Sequence, residues 1–424
     1  MERLHATYWI ETPIPVEKAA AILAGEQSSG TFVAVPGESE ALKERFAARV
    51  EQIEVVETVS SPAIPSKELE GKQFTRARVT VSWSVENFRH NLPVLMSTLE
   101  GNLYELRQFT GLKLLDFTVP KLWSQRFRGP SFGVEGCRDL VGVQGRPLIG
   151  TIIKPSIGLS PEETGEIVKQ LLEAGIDFIK DDELQGSASN SPFDRRVEVI
   201  MRVIRDYADH TGRKPMYAFN ISDELEPMKR HYEKIVNEGG NCAMISLNTV
   251  GLTAVKAMCD IGKLAIHGHR NGWGMINRHP LLGVEFSAYQ KFWRLSGVDQ
   301  IHVNGIQNKF WEADESVVRS IQACMEPFVG KGILPVVSSG QWGGQAFRTY
   351  ELTKTVDLLY LAGGGILAHP GGPASGVKAL HQAWNGAVKG KTLEETAAEC
   401  PEFAMSVQKF MKHEGVDQGK ERKA

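Results

Sequence analysis

Residues 175–190 read GIDFIKDDELQGSASN, an apolar approach that ends abruptly in Lys180, Asp181, Asp182 and Glu183. Side chains alternate faces along an extended strand, so Lys180 and Asp182 fall on one side and Glu183 lies where strand gives way to loop. Read alone, a KDDE tetrapeptide is a solvated charge run. Preceded by Ile176, Phe178 and Ile179 it becomes the charged end of a core strand, facing whatever the fold keeps at that strand's C-terminal edge. Asp182 and Glu183 there suit a hard divalent cation of the magnesium type, which prefers oxygen ligands. Lys180 does not fit such a site as an ammonium, which has no lone pair; it either neutralises the acids or is chemically modified.

The flanking sequence sets the fold around that strand. Short β-like runs recur at 148–154, 178–181, 216–220, 243–247, 264–267, 301–303, 334–337 and 358–361, with amphipathic helical stretches between them, among them 161–173, 195–207, 224–237, 315–324 and 377–384. Strand and helix in alternation, over a length of roughly 250 residues, predict a closed parallel (β/α)8 TIM barrel rather than an open doubly wound sheet. Residues 1–125 mix strands (5–11, 52–59, 74–85) and helices (15–23, 91–99) without that rhythm, which predicts an N-terminal α+β, ferredoxin-like domain. The barrel with a C-terminal helical tail then occupies 126–424, and the glycines and proline of 126–137 read as the connection.

Barrel enzymes keep their chemistry at the C-terminal ends of the strands. Polar residues collect there: Lys154 after the first, Lys180, Asp182 and Glu183 after the second, and His267, His269 and Arg270 after the fifth. His302 and Asn304 follow the sixth, Ser338, Ser339 and Gly340 the seventh, and Gly363, Gly364 and Gly365 the eighth. Arg270, His302 and Lys309, with backbone donors at Gly340, Gly363 and Gly364, suit one or two phosphates, because glycine permits close backbone approach. The competing reading makes each histidine a satisfied core residue and the glycine triplet a simple turn; six polar strand ends together favour a site.

Composition narrows the function. The 424 residues exceed what one core usually supports, and a formal net charge of -3 gives no electrostatic case for nucleic acid or an anionic membrane as partner. Five cysteines (Cys137, Cys242, Cys259, Cys324, Cys400) without CxxC spacing read as reduced and structural. The first residues carry no basic-then-apolar leader and no run reaches the roughly 18 apolar residues of a membrane span, so a cytoplasmic enzyme is expected. No Walker sequence, dinucleotide fingerprint or zinc-spaced cluster is present.

Taken in order, GTIIKPSIGLS (150–160), DFIKDDE (177–183), HGHR (267–270), the IHVNG segment with Lys309, PVVSSG (335–340) and GGG..AHP (363–370) resemble the motifs of the ribulose bisphosphate carboxylase large-chain family. GEQSSGTF (25–32) and LEGN (99–102) extend the resemblance to the first domain. It implies that Lys180 is the lysine that CO2 converts to a carbamate, holding Mg2+ with Asp182 and Glu183. Lys154 resembles the family's acid/base lysine, and His269 a histidine near the enediol oxygens. Arg270, His302 and Ser338 resemble one phosphate site; Gly340, Gly363, Gly364, Thr31 and Lys309 resemble the other. Glu26, Thr31 and Asn102 are expected to come from a partner subunit, which implies at least a homodimer.

Departures from the family pattern identify the kind of member. Ser156 stands where true carboxylases have a second lysine, Phe32 replaces a tryptophan, Ser339 a glycine, and Trp273 or its neighbours a histidine. This pattern is similar to the RuBisCO-like proteins that do not fix CO2. The resemblance therefore implies a Mg2+-dependent enzyme that stabilises an enediolate of a phosphorylated sugar acid, foremost a decarboxylase of the 3-oxo-isoapionate 4-phosphate type. The alternatives are an enolase or isomerase of methylthio sugar phosphates, a ribulose bisphosphate carboxylase, and a regulatory protein without activity.

Overall fold

The computed structural model describes residues 2–29, 37–65 and 72–421. The chain divides into two compact units, Met1–Gly129 with Gly272–Ser296, and Pro130–Asn271 with Gly297–Ala424. In chain order the strands are β1 (Arg3–Thr12), β2 (Arg49–Val59), β3 (Phe74–Ser84), β4 (Gly111–Thr118), β5 (Leu148–Ile152), β6 (Phe178–Lys180) and β7 (Met216–Asn220). There follow β8 (Cys242–Ser246), β9 (Ala265–His269), β10 (Leu282–Val284), β11 (Gln300–His302), β12 (Leu334–Val337) and β13 (Leu359–Leu361).

In the first unit β1 to β4 form an antiparallel sheet in the order β4-β1-β3-β2, the ferredoxin-like arrangement. Alternation in β1 decides which face is covered: Leu4, Ala6, Tyr8 and Ile10 are buried. The helix Leu92–Leu99 starts where Asn91 accepts the Val94 N–H at 3.1 Å, with a proline in its first turn. At the open edge β2 carries Glu51, Glu54 and Glu57, charges that oppose further strand pairing. The opposite edge holds a strand that no sequence pattern announced: β10, three residues long, pairs in parallel with β4.

The second unit is a closed eight-stranded parallel barrel, β5 to β9 followed by β11 to β13. Its helices carry strong terminal signals. Ser160 and Glu163 form a reciprocal capping box at the start of Pro161–Glu173, and Gly212 at φ +69° ends Phe193–Thr211. The stretch read as a linker is partly otherwise, since Gly133–Val141 is a helix whose Cys137 and Val141 pack into the barrel's core. Its glycines concealed it: Gly133 has φ +61°, and a Cβ on Gly136 would lie 2.9 Å from the Phe132 Cβ.

The core shows which side chains point inward. Leu148, Phe178, Met216, Ala218, Cys242, Met244, Ala265, Leu334, Val336, Leu359 and Leu361 form one cluster. Two residues further along their strands, the same inward rows reach Lys180, Asn220, Ser246, His267 and Ser338. The barrel therefore changes from apolar to polar along its axis, and the polar layer lies at the C-terminal mouth. Cys137, Cys242, Cys259 and Cys324 are buried, Cys400 is half-buried, and all five are free thiols. Among the described residues no helix is long and apolar enough to cross a membrane.

Candidate active site

β6 delivers its two acids to opposite sides. Asp181 points outward and is consumed by the fold: its carboxylate meets Arg196 at 3.2 Å, the Tyr217 hydroxyl at 2.7 Å and the Asn220 N–H at 3.0 Å. Lys180 and Asp182 point inward. The Lys180 ammonium, 1% exposed, donates to the Asp181 carbonyl at 2.7 Å and lies 3.9 Å from a Glu183 oxygen. Lys154 comes across from the end of the β5 strand, its Nζ 2.5 Å from Asp182 Oδ2 and 2.8 Å from Ser156 Oγ. Ser156 is thus a partner of Lys154 in place of a second cation.

Burial pushes Lys180 down to about 8, against the opposing pull of Glu183, Asp182 and Asp181 and with a contribution from Lys154. Asp182 ends below the ordinary range: burial raises it, but the hydrogen bonds from Lys154 and the Leu184 N–H and the charges of Lys154 and Lys180 outweigh that. Glu183 is one-third exposed and lies 3.5 Å from His269 Nε2. Burial holds His269 well below its usual value, with Lys180 and His267 adding to the effect, so this contact joins a neutral ring to a carboxylate.

Sequence reasoning missed Asn220. Its amide donates to the backbone carbonyls of Glu183 at 3.2 Å and Asp182 at 3.4 Å, which fixes the turn that presents both carboxylates. The signal existed: Asn220 ends its strand just as Lys180 ends the previous one.

Across the mouth, β9, β11 and β12 bring His267, His302 and Ser338 into one hydrogen-bonded row. Gln300 spends its amide N–H groups on Cys137 and Met216 sulfurs, so its oxygen faces His267 Nδ1 at 2.8 Å and accepts that proton. His267 Nε2 then accepts from His302 Nε2–H at 2.9 Å, and His302 Nδ1 accepts from the Ser338 hydroxyl at 2.9 Å. Burial pushes His267 down to about 3 and His302 well below its usual value, consistent with two neutral rings. Arg270, also buried, meets a residue no sequence pattern singled out, the Glu312 carboxylate at 2.9 Å.

The remaining candidates have simpler surroundings. The Lys309 N–H donates to the Ser339 carbonyl at 3.2 Å, its side chain is exposed, and a Cβ on Gly340 would lie 3.3 Å from the Lys309 Cβ. Gly363 and Gly364 open the helix Gly363–Leu367; beside Gly364 the space is free to 4 Å, and beside Gly363 only Ile152 approaches, at 3.8 Å. In the other unit Glu26 ends the helix Val16–Glu26, and Asn102 lies in the turn Gly101–Glu105. Gln27 links them, because its amide, oriented to satisfy both neighbours, accepts from Asn102 N–H and donates to the Ser97 carbonyl, each at 2.9 Å. Thr31 and Phe32 lie outside the described residues.

Comparison with known proteins identifies the family. Residues 133–410 match the catalytic domain of the ribulose bisphosphate carboxylase large chain, and residues 4–123 match its N-terminal domain. The chain belongs to that family. Within it, the 3-oxo-isoapionate-4-phosphate transcarboxylase/hydrolase of Xanthobacter autotrophicus is 48% identical over 94% of this chain and 97% of its own. The 3-oxo-isoapionate-4-phosphate decarboxylase of Rhizobium etli is 46% identical over 97% of this chain and 99% of its own. The crystal structure of a rubisco-like protein from Burkholderia fungorum superposes with a TM-score of 0.91 at 42% identity, covering 97% of this chain and 100% of that one. These relatives are RuBisCO-like proteins, and the N-terminal α+β domain with a TIM barrel is the fold of this family.

Proposed function

We propose that the chain is a Mg2+-dependent carboxy-lyase that decarboxylates a phosphorylated 3-oxo sugar acid of the 3-oxo-isoapionate 4-phosphate type. The activities for which the Xanthobacter and Rhizobium relatives are named support the substrate class. The observation that carries the chemistry is the 2.5 Å contact of Lys154 with Asp182, which holds a proton donor beside the carboxylates best suited to a metal.

Among the described residues no three His, Cys, Asp or Glu side chains stand together as a metal site. Asp182 and Glu183 supply two carboxylates and need a third anionic ligand. Lys180 fits that need as a CO2 carbamate: it is buried next to both acids, and its lowered pKa increases the share of neutral amine able to take up CO2. A Mg2+ ion held by these three groups would supply Lewis acidity for the substrate's 3-oxo group. The single phosphate is held by Lys309 and the N–H groups around Gly340, Gly363 and Gly364.

The protein's own groups then complete a balanced reaction. The bond from the α-carbon to the carboxylate breaks, CO2 leaves, and the electron pair stays on that carbon, conjugated with the 3-oxo group. Lys154 delivers a proton to the same carbon, giving the ketone and a neutral amine. Lys154 is 46% exposed, so solvent restores its proton. Ser156 Oγ and Asp182 keep the amine aimed during this cycle. Glu26, Thr31 and Asn102 complete the site from a second subunit of a homodimer.

The test is CO2 release from 3-oxo-isoapionate 4-phosphate by the purified protein supplied with Mg2+ and bicarbonate. Stoichiometric CO2 and ketone support the reading. Deuterium entering recovered substrate from D2O without CO2 release would assign an enolase or isomerase instead.

A further inference from the structure

The buried cluster beside Ser338 contains its own anion. Glu312 Oε2 accepts from Arg270 at 2.9 Å and from the Asn304 amide at 2.5 Å, while Oε1 accepts from Ser316 Oγ at 2.9 Å. Arg270 and Glu312 are 4% and 1% exposed at their side chains. The loop is fixed in this position: the Asn308 amide donates to the Glu312 carbonyl at 3.0 Å and to the Gly305 carbonyl at 2.9 Å, and the Gln307 N–H donates to Asp314 at 2.6 Å. Asn304 and Ser339 hold left-handed backbones, at φ +64° and +77°, and the Ser339 hydroxyl donates to the Asn304 oxygen at 2.8 Å. Non-glycine residues persist in that conformation only where their surroundings impose it.

The charges in this pocket sum to zero. Arg270 is offset by Glu312, burial keeps the His267 and His302 rings neutral, and Ser338, Ser339 and Asn304 carry no charge. A phosphate dianion entering here would have to share Arg270 with a buried carboxylate. A hydroxyl would not: it can donate to Ser338 Oγ or Ser339 Oγ, whose own protons go to His302 and Asn304, without disturbing the Arg270–Glu312 pair. We propose that Glu312 is a specificity residue, making the pocket of Arg270, His302 and Ser338 accept the uncharged hydroxyl end of the substrate and reject a second phosphate. This inference rests on the reading that the sugar phosphate binds at the barrel mouth, and it explains a preference for a monophosphate.

Two inert probes test it without any turnover, xylitol 5-phosphate and xylitol 1,5-bisphosphate, bound to the holoenzyme and followed by calorimetry. The wild type is expected to bind the monophosphate at least about tenfold more tightly than the bisphosphate, the ratio that one uncompensated charge contact of moderate strength produces. Glu312→Gln keeps the size of the side chain and removes the charge; it should tighten the bisphosphate by about tenfold or more and change the monophosphate by less than about threefold. A Glu312→Gln protein that binds the bisphosphate more weakly would show that Glu312 prepares Arg270 for phosphate, and overturns the proposal. Equal wild-type affinity for the two probes overturns it as well, whether or not the variant folds. Absence of CO2 release from sugar acid phosphates would refute the decarboxylase reading alone and leave this selectivity standing.

Discussion

Replacing Arg196 by Met attacks the turn that presents Asp182 and Glu183 from behind. Arg196 is fully buried, with Nε and Nη2 at 3.3 Å and 3.2 Å from Asp181 Oδ2 and Nη1 on the Ser191 carbonyl at 2.9 Å. Methionine fills much of the same volume but leaves the Asp181 carboxylate, 1% exposed, with only a tyrosine hydroxyl and one N–H. Removing one member of a buried pair costs about 3–5 kcal/mol, because the charge left behind is neither solvated nor compensated. For a unit of this size that corresponds to a melting temperature lower by about 6–20 °C. Asp181→Asn combined with Arg196→Met removes the stranded charge, so the double variant should recover at least about 1 kcal/mol relative to the sum of the singles. Scanning calorimetry and urea unfolding of the four proteins supply the cycle. A loss below about 1 kcal/mol in Arg196→Met, or strict additivity in the double variant, would refute the argument that Asp181 is an obligate ion-pair partner. The same change should weaken Mg2+ binding, since Asp181 holds the Asn220 N–H while the Asn220 amide holds the Asp182 and Glu183 carbonyls.

Three further outcomes are expected. Lys154→Met should lower decarboxylation by about 10²–10⁴-fold, the usual contribution of a positioned proton donor, while calorimetry still detects Mg2+; full activity would remove Lys154 from the mechanism. Asp182→Asn should abolish Mg2+-dependent turnover and weaken the metal titration, because the proposed site would lose one of its two carboxylates. The Lys180 amine, at about 8, is neutral in about a tenth of molecules at pH 7 and about nine-tenths at pH 9, so the rate of ¹³CO2 uptake seen by ¹³C NMR should climb across that window and then level. The linkage has a fixed sign. With a folded pKa below the ordinary 10.5, the unmodified protein binds fewer protons at Lys180 than the unfolded chain between about 8 and 10.5. Its stability from this group therefore rises with pH through that interval, and the burial cost is carried in full below it.

The barrel was legible because each strand is a short apolar run set between amphipathic helices with strong start signals, such as Ser160 with Glu163. β10 was not: Leu-Gly-Val has no alternation to read, and it is a strand only because β4 offers an edge. The helix Gly133–Val141 was hidden for the opposite reason, since its glycines serve close packing against Phe132 and a positive φ while mimicking a linker. Local pattern reports what a segment does to itself, and these two segments are shaped by their neighbours.

The same distinction runs through the site. Lys180 and Asp182 were legible as a pair because strand alternation alone puts both on the inward row, and Asn220 obeys that rule one strand later. Alternation also separates Asp181 from its neighbours in sequence, turning one acid of the run into a structural partner of Arg196. Glu312 lies beyond the reach of such rules. It returns to Arg270 only because Asn304 takes a left-handed backbone and Asn308 ties the loop to itself, so its position depends on a conformation rather than a period. The residues around Lys180 and those around Arg270 are therefore fixed by different means. Residues on the inward rows of the strands carry the chemistry common to a barrel mouth, and a residue placed by a loop can change which substrate that chemistry meets without disturbing a single strand.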